Sequence, residues 1–245
     1  MSGASTHIRP HAALPLVLAG CLAMAGAARA DGTGSATPAS AGGNATTLAW
    51  DVDGLAPPVS ARIPRSLVVT APGFTLDRRA VATRCSELQA KLNECPRKSK
   101  IGTGWLSIVV HRPNGTVNEV KFDLGLYLAK GTKVFAVTDF IGIRVVPGRL
   151  TDAGGVRVTF DPLPTPPEIP GVELTYEFKG VSVTLGAKRT EVRRVGARRA
   201  RRTFRYSLVR TPERCAESSW AATATLGFPD GTSQPLPTPM ACTRR

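Results

Sequence analysis

The sequence predicts an all-β protein, an antiparallel β-sandwich of the immunoglobulin-like or jelly-roll-like type, with one short helix between Cys85 and Cys95. Three observations support this fold class. Apolar and polar residues alternate in many short segments, a pattern typical of half-buried strands. The 20 prolines and 24 glycines favour short strands joined by tight turns. Four cysteines beyond residue 30 are enough for two disulfide bonds, which are common in small exported domains.

Residues 1–30 have the pattern of a signal peptide. Arg9 gives a positive start, the apolar stretch 12–27 is too short for a membrane span, and Ala28-Arg29-Ala30 places small residues before a cut. Cleavage there predicts a secreted or cell-surface protein. The segment ending at Cys21 also resembles a bacterial lipobox. Acylation of Cys21, with anchoring to the outer face of the cytoplasmic membrane, is therefore the alternative, and both routes lead to export.

Residues 31–47 are small and polar without an apolar period, which predicts a flexible linker. A single β-sandwich domain is then expected over residues 48–245. The proline-rich segment 161–171 is interpreted as a long loop within that domain, because similar strands precede and follow it. We expect no transmembrane segment after the signal peptide, since the best candidate, 134–146, is short and carries charged residues.

Alternation and turn signals place the strands along the chain. Asn114-Gly115 predicts a hairpin turn, since both residues tolerate positive φ. Gly102-Thr103-Gly104 lacks the following helix and the Gly-Lys-Ser/Thr of a phosphate loop, so it predicts a strand start that needs twist or close backbone approach. Gly180 interrupts the clearest alternation. The predicted strands cover 67–69, 106–110, 120–128, 134–137, 144–146, 156–160, 172–178, 181–185, 204–208 and 220–228, with a last turn at 229–232.

The helix is predicted from a capping box, with Ser86 as N-cap and Gln89 at the third helical position. Leu88 and Leu92 then lie one turn apart on one face. An unbroken helix from residue 85 to residue 95 would separate their Cα atoms by about 15 Å, whereas a disulfide needs roughly 4.4–6.8 Å. If these cysteines pair, the helix must end by Asn93 and the chain must fold back.

Four cysteines allow three pairings, of which Cys85–Cys95 and Cys215–Cys242 are favoured. The second bridge would tie the last strands to the C-terminus. A zinc site is the alternative, but the chain has no close Cys-x-x-Cys pair and export disfavours it. We therefore expect neither a metal nor a cofactor.

These cysteines belong to wider motifs: Cys-Ser-x-x-x-Leu, Cys-Pro-x-x-Ser-Lys-Ile-Gly-x-Gly, and Thr-Pro-x-x-Cys … Trp … Asp-Gly-Thr … Cys. In this order they resemble a group of exported, disulfide-containing β-domain proteins of high-GC actinobacteria. The resemblance covers most of residues 48–245. It departs at the first leucine, which falls two positions early at Leu88. It implies export, two local bridges and a β-sandwich, and carries over no activity. The matching residues are Cys85, Ser86, Cys95, Pro96, Ser99, Lys100, Ile101, Gly102, Gly104, Thr211, Pro212, Cys215, Trp220, Asp230, Gly231, Thr232 and Cys242.

The chain carries a net charge of +14, which attracts anionic polymers and lipid surfaces at low salt. The basic residues concentrate in a predicted hairpin with its tip at Gly196 and with Glu191 as its only acid. These cationic side chains would bind an anionic cell-envelope polymer or lipid headgroups through contacts with phosphate groups. Few aromatic residues interleave, so no specific nucleic acid is expected. The alternative is an exposed hairpin without a ligand. The candidate residues are Lys188, Arg189, Arg193, Arg194, Arg198, Arg199, Arg201, Arg202 and Arg205.

Catalytic chemistry has little support in the sequence. His111 is the single histidine after the signal peptide, and it is interpreted as a solvated residue at a strand end. The pairs Asp51/Asp53 and Glu173/Glu177 are interpreted as solvated strand faces. We therefore predict no catalytic residue and a non-catalytic structural or binding protein. A carboxylate-dependent hydrolase of envelope polysaccharide is the alternative.

Overall fold

The structure is a computed structural model that describes residues 32–55, 59–139, 143–160, 175–196, 200–215 and 217–243. Strands contain 59% of the described residues, so the predicted all-β class is confirmed. The predicted signal peptide with Cys21, and the residues Glu173, Arg198 and Arg199, lie outside the described residues.

The described residues form seventeen strands, one α-helix and two short 3-10 helices. The α-helix, α1, spans Glu87–Lys91, and the 3-10 helices span Arg78–Ala80 and Arg97–Ser99. The strands, in chain order, are β1 Gly32–Thr37, β2 Ala45–Val52, β3 Ser66–Thr70, β4 Thr75–Leu76, β5 Lys100–His111, β6 Val117–Leu128, β7 Lys133–Asp139, β8 Ile143–Thr151, β9 Gly155–Thr159, β10 Thr175–Leu185, β11 Lys188–Val195, β12 Ala200–Ser207, β13 Val209–Arg210, β14 Ser219–Trp220, β15 Thr223–Gly227, β16 Ser233–Pro237 and β17 Met240–Ala241.

Fifteen of these strands form one large sheet. Its main path runs β14-β17-β1-β2-β10-β5-β6-β7-β8-β9-β3-β15-β16, and β13 and β4 attach beside β2. Named strands pair antiparallel throughout the described residues except β1 with β17, which are parallel. The strands β11 and β12 form a separate two-stranded sheet.

The large sheet curls because the C-terminal hairpin contributes strands to both ends of the strand order. Ser219–Trp220 pairs with Met240–Ala241 beside β1, whereas Thr223–Gly227 pairs with Ser233–Pro237 beside β3. The two halves of one hairpin thus stand at opposite ends of the strand order. The bend between them is held by the Thr238 amide, which donates to the Ala222 carbonyl at 2.9 Å.

The main core fills the inside of this curl. It includes Trp50, Phe178 and Leu226, each at most 1% exposed, and residues before and after the proline-rich segment contribute to it. The alternation that predicted β6 is confirmed, since Phe122 and Leu126 on one face are buried. The predicted interruption at Gly180 is a β-bulge between Phe178 and Gly180 in the pairing of β10 with β5.

The prediction of a flexible linker over residues 31–47 is wrong. Gly32–Thr37 forms β1 and Ala45 begins β2, and the two strands pair along six residues. The residues of β1 are small because the backbone near Thr238 lies close to this strand. A Cβ on Gly34 would lie 2.3 Å from the Thr238 carbonyl oxygen. Sequences selected for close backbone approach resemble flexible linkers in composition. The folded part of the chain therefore includes residues well before Leu48.

The disulfide prediction is confirmed for both bridges, Cys85–Cys95 and Cys215–Cys242. Disulfides of this kind indicate an oxidising compartment. The capping box is also present: the Ser86 hydroxyl accepts from the Gln89 amide and the Gln89 side chain accepts from the Ser86 amide. The chain reverses at Asn93, whose φ is +55°, and this brings the two Cα atoms of the first bridge to 5.1 Å.

The helix α1 packs on the outside of the sheet in a small cluster with Cys85, Ala90 and Val137. Leu88 and Leu92 do not join it and are 68% and 51% exposed. The face that their spacing predicts is therefore exposed, and Ala90 is the buried residue of the helix.

Candidate functional site

The predicted basic hairpin is present as β11 and β12. The two strands pair from Lys188 opposite Ser207 to Val195 opposite Ala200, and Gly196 at the predicted tip has a φ of +77°. The root of the hairpin is fixed to the main core. Leu208 is fully buried, and its amide donates to the Ala187 carbonyl at 2.8 Å.

The register divides the hairpin into two faces, because residues directly opposite each other share a face. The first, called the open face, is exposed from Lys188 to the tip; Val192 at its middle is 60% exposed. The second, called the cleft face, turns toward residues 76–84. The open face carries Lys188, Thr190, Val192, Arg194, Arg201, Thr203 and Arg205, and at its root Ser207, which lies opposite Lys188 and is buried. The cleft face carries Arg189, Glu191, Arg193, Val195, Ala200, Arg202, Phe204 and Tyr206.

Two consecutive rungs of the hairpin place arginine opposite arginine. Arg193 pairs with Arg202 on the cleft face, and Arg194 pairs with Arg201 on the open face. Like charges directly opposite each other destabilise an antiparallel pair. The outer end of the hairpin therefore holds four guanidinium groups at a cost to its own stability.

On the cleft face, Glu191 neutralises part of this charge. Its carboxylate accepts from the Arg189 guanidinium at 2.8 Å and from that of Arg193 at 2.7 and 2.9 Å. The hydrogen bond from Arg193 is the main cause that lowers the pKa of Glu191, with attraction to both arginines adding to it. On the open face, the described residues supply no acidic partner within ion-pair distance of Arg194, Arg201 or Arg205.

Beneath the cleft face lies a cleft of about 560 Å³. Its second wall is the segment 76–84, where Asp77 caps the first 3-10 helix and binds the Arg79 guanidinium at 2.9 Å through each carboxylate oxygen. The Arg79 and Arg189 guanidinium groups lie 5.6 and 5.8 Å from the Tyr206 ring centroid, within cation–π range. The contact between Arg79 and Tyr206 joins the hairpin to the segment 76–84. The cleft residues are Leu76, Asp77, Arg78, Arg79, Val81, Arg84, Arg189, Arg193 and Tyr206.

Sequence reasoning did not find Arg78, Arg79 and Arg84. They lie more than a hundred positions before the hairpin, and only the fold brings them to it. A local signal was present, because three arginines fall within seven residues with one acid, Asp77, directly before them.

The predicted acid–base candidates lie elsewhere. His111 ends β5, and its Nε2 is 3.4 Å from the Glu177 carboxylate. Asp51 was expected to be solvated, but its Oδ1 is buried without a hydrogen-bond donor among the described residues. Burial is the main cause that raises the pKa of Asp51, with repulsion from Asp53 next. Within the described part of the chain, no three His, Cys, Asp or Glu side chains form a group able to hold a metal ion.

In the same part of the chain, no helix has the length and apolar character to cross a membrane. No protein-family model, curated protein or solved structure matches the chain.

Proposed function

We propose that this chain is a non-catalytic, exported β-sandwich protein that binds an anionic cell-envelope polymer through the open face of the basic hairpin, β11 and β12. The observation that carries the proposal is the Arg194–Arg201 rung, which sets two unneutralised guanidinium groups side by side on an exposed strand pair. Negative groups of a ligand would remove the repulsion in this rung. Guanidinium groups also match phosphate oxygens in a bidentate geometry.

The cations of the open face are spread along both strands of the hairpin. Neighbouring positions on one face of a strand are about 6.6–6.8 Å apart, and the two strands are separated by about 4.8 Å. Arg201 and Arg205 lie four positions apart on one strand, about 13 Å, and Lys188 and Arg194 lie six positions apart on the other, about 20 Å. A flexible polyanion crossing the face would meet cations on both strands.

The two disulfides support an extracytoplasmic location. The N-terminal pattern supports removal of residues 1–30 or acylation of Cys21. The β-sandwich type is proposed because the curled sheet encloses one main core.

The test is binding to soluble poly(glycerol phosphate) at several salt concentrations. The double variant Arg194→Ser/Arg201→Ser is expected to bind more weakly. The slope of log K against log salt should fall in magnitude by about 1.4, if each lost phosphate contact contributes about 0.7, as it does for flexible single strands.

The matched control is Arg149→Ser/Arg157→Ser. These two exposed arginines also face each other, on β8 and β9, and Lys133 lies opposite Arg149. The control therefore removes the same charge from the same kind of rung on the large sheet. Equal loss of binding in the two double variants would reduce the effect to net charge and refute the proposal, as would unchanged binding in the hairpin variant.

A further inference from the structure

The cleft beneath the hairpin differs from the open face in shape and in chemistry. It has two walls, the segment 76–84 and the cleft face of the hairpin, and a volume of about 560 Å³ that is largely open to solvent. Pockets for small organic molecules range from about 300 to 1,000 Å³. The cleft therefore has room for one small molecule, which would stay partly exposed to solvent.

The charge in the cleft is positive and only partly compensated. Five arginines line it, Arg78, Arg79, Arg84, Arg189 and Arg193. Against them stand two carboxylates, Asp77 in the lining and Glu191 beside it, each already bound to arginine. Five positive and two negative charges leave a net charge of +3.

Arg78 and Arg84 carry two of these three uncompensated charges, and the third belongs to Arg189 and Arg193, which share Glu191. The Arg84 guanidinium donates to the carbonyls of Val81 at 2.6 Å and Thr83 at 3.0 Å, which fixes its direction without neutralising it. Burial is the main cause that lowers the pKa of Arg84, and repulsion from Arg78 adds to it. Neither arginine forms an ion pair with a described carboxylate.

We propose that this cleft binds a phosphomonoester, with the phosphate at the Arg78 and Arg84 guanidinium groups and the organic part against Tyr206 and its apolar neighbours. A phosphomonoester has a charge of about −1.5 to −2 near neutral pH, which the net charge of the cleft exceeds. Leu76, which is half-buried in the lining, supplies apolar surface for the organic part. The site is on the opposite side of the hairpin from the polymer-binding face and does not depend on it.

The test is isothermal titration calorimetry of the full exported chain with glycerol 3-phosphate, with neutral glycerol as the matched ligand control. The wild type is expected to bind glycerol 3-phosphate and not glycerol. Arg78→Ser should weaken binding by at least about tenfold, since hydrogen bonds between charged groups are lost. Arg78 is chosen because its side chain has no hydrogen bond or ion pair with the described residues that its removal would break.

Arg201→Ser on the open face is the matched protein control and should leave the affinity for glycerol 3-phosphate unchanged. Equal affinity of the wild type and Arg78→Ser, or no binding by the wild type at millimolar ligand, would overturn the proposal. A titration with short-chain phosphatidic acid distinguishes the source of the phosphate. Tighter binding than glycerol 3-phosphate assigns the cleft to a lipid headgroup, and weaker binding assigns it to a soluble ester.

Discussion

Asp51 is a carboxylate whose surroundings oppose its charge. It lies in β2, opposite Ser182 of β10, and its Oδ1 is buried without a donor among the described residues. Burial and the nearby Asp53 raise its pKa, although Lys121 partly offsets them. Asp51→Asn should therefore increase the free energy of unfolding at pH 7, by about 1 kcal/mol at most because the side chain is only partly buried. Urea denaturation measures this change.

The pH dependence of the effect has a definite sign. Because the pKa of Asp51 is higher in the folded state than its ordinary value of 3.8, the wild type gains stability as the pH falls through the folded pKa toward 3.8. The advantage of Asp51→Asn should therefore shrink over that interval. Asp123→Asn, at an exposed position of β6, is the control. An advantage that persists unchanged at pH 3.5 to 4 would contradict the assignment.

At the residue scale, what the sequence predicts depends on how local the interaction is. The capping box was predictable because Ser86 and Gln89 are three positions apart and contact each other directly. The partial neutralisation of the hairpin by Glu191 was also visible as a lone acid among arginines. The contribution of Arg78 and Arg84 was not, because it depends on a tertiary contact between distant segments.

At the element scale, β5 requires glycine where its backbone lies very close to that of the neighbouring strand β10. A Cβ on Gly104 would lie 2.3 Å from the Ser182 carbonyl oxygen, and one on Gly102 would lie 2.0 Å from that of Thr184. The sequence-based interpretation of this pair as a close backbone approach is therefore confirmed. Gly104→Ala should lower the free energy of unfolding by about 1–3 kcal/mol, since the two strands must separate to admit the methyl group.

The control for this prediction is Thr103→Ala, at the exposed position between the two glycines, which should change stability by no more than about 0.5 kcal/mol. Urea denaturation of both variants measures the difference. If Gly104→Ala behaves like Thr103→Ala, the close approach of β5 and β10 is not a constraint on this strand pair.

Strand prediction at this scale succeeded where burial follows the pleat. The strand β6 alternates large apolar and polar residues, so its period was evident. The strand β1 carries only small residues, because β17 and the segment before it approach closely on one side. Its stability comes from backbone pairing with β2 and β17, and such pairing leaves no hydrophobic period in the sequence.

At the scale of the whole molecule, the curl of the sheet depends on the C-terminal hairpin. Trp220 in β14 packs edge-on against Phe74 at 5.0 Å between ring centroids. The Cys242 amide donates to the Ser218 carbonyl at 2.8 Å, and the Thr243 amide donates to Ala39 at 2.9 Å. The Cys215–Cys242 bridge lies at this junction and joins the start of the hairpin to its end.

The two disulfides should therefore differ in their effect on stability. Cys215–Cys242 spans 27 positions and Cys85–Cys95 spans 10, so the chain-entropy relation gives about 3.5 and about 2.7 kcal/mol. The place of each bridge in the fold is expected to add more to this difference in stability than loop length does, because Cys85–Cys95 fixes only a short helix on the outside of the sheet. Cys215→Ser/Cys242→Ser should lower the urea midpoint of the whole domain more than Cys85→Ser/Cys95→Ser does. A larger loss from the helix bridge would show that the C-terminal junction is not what holds the sheet in its curled form.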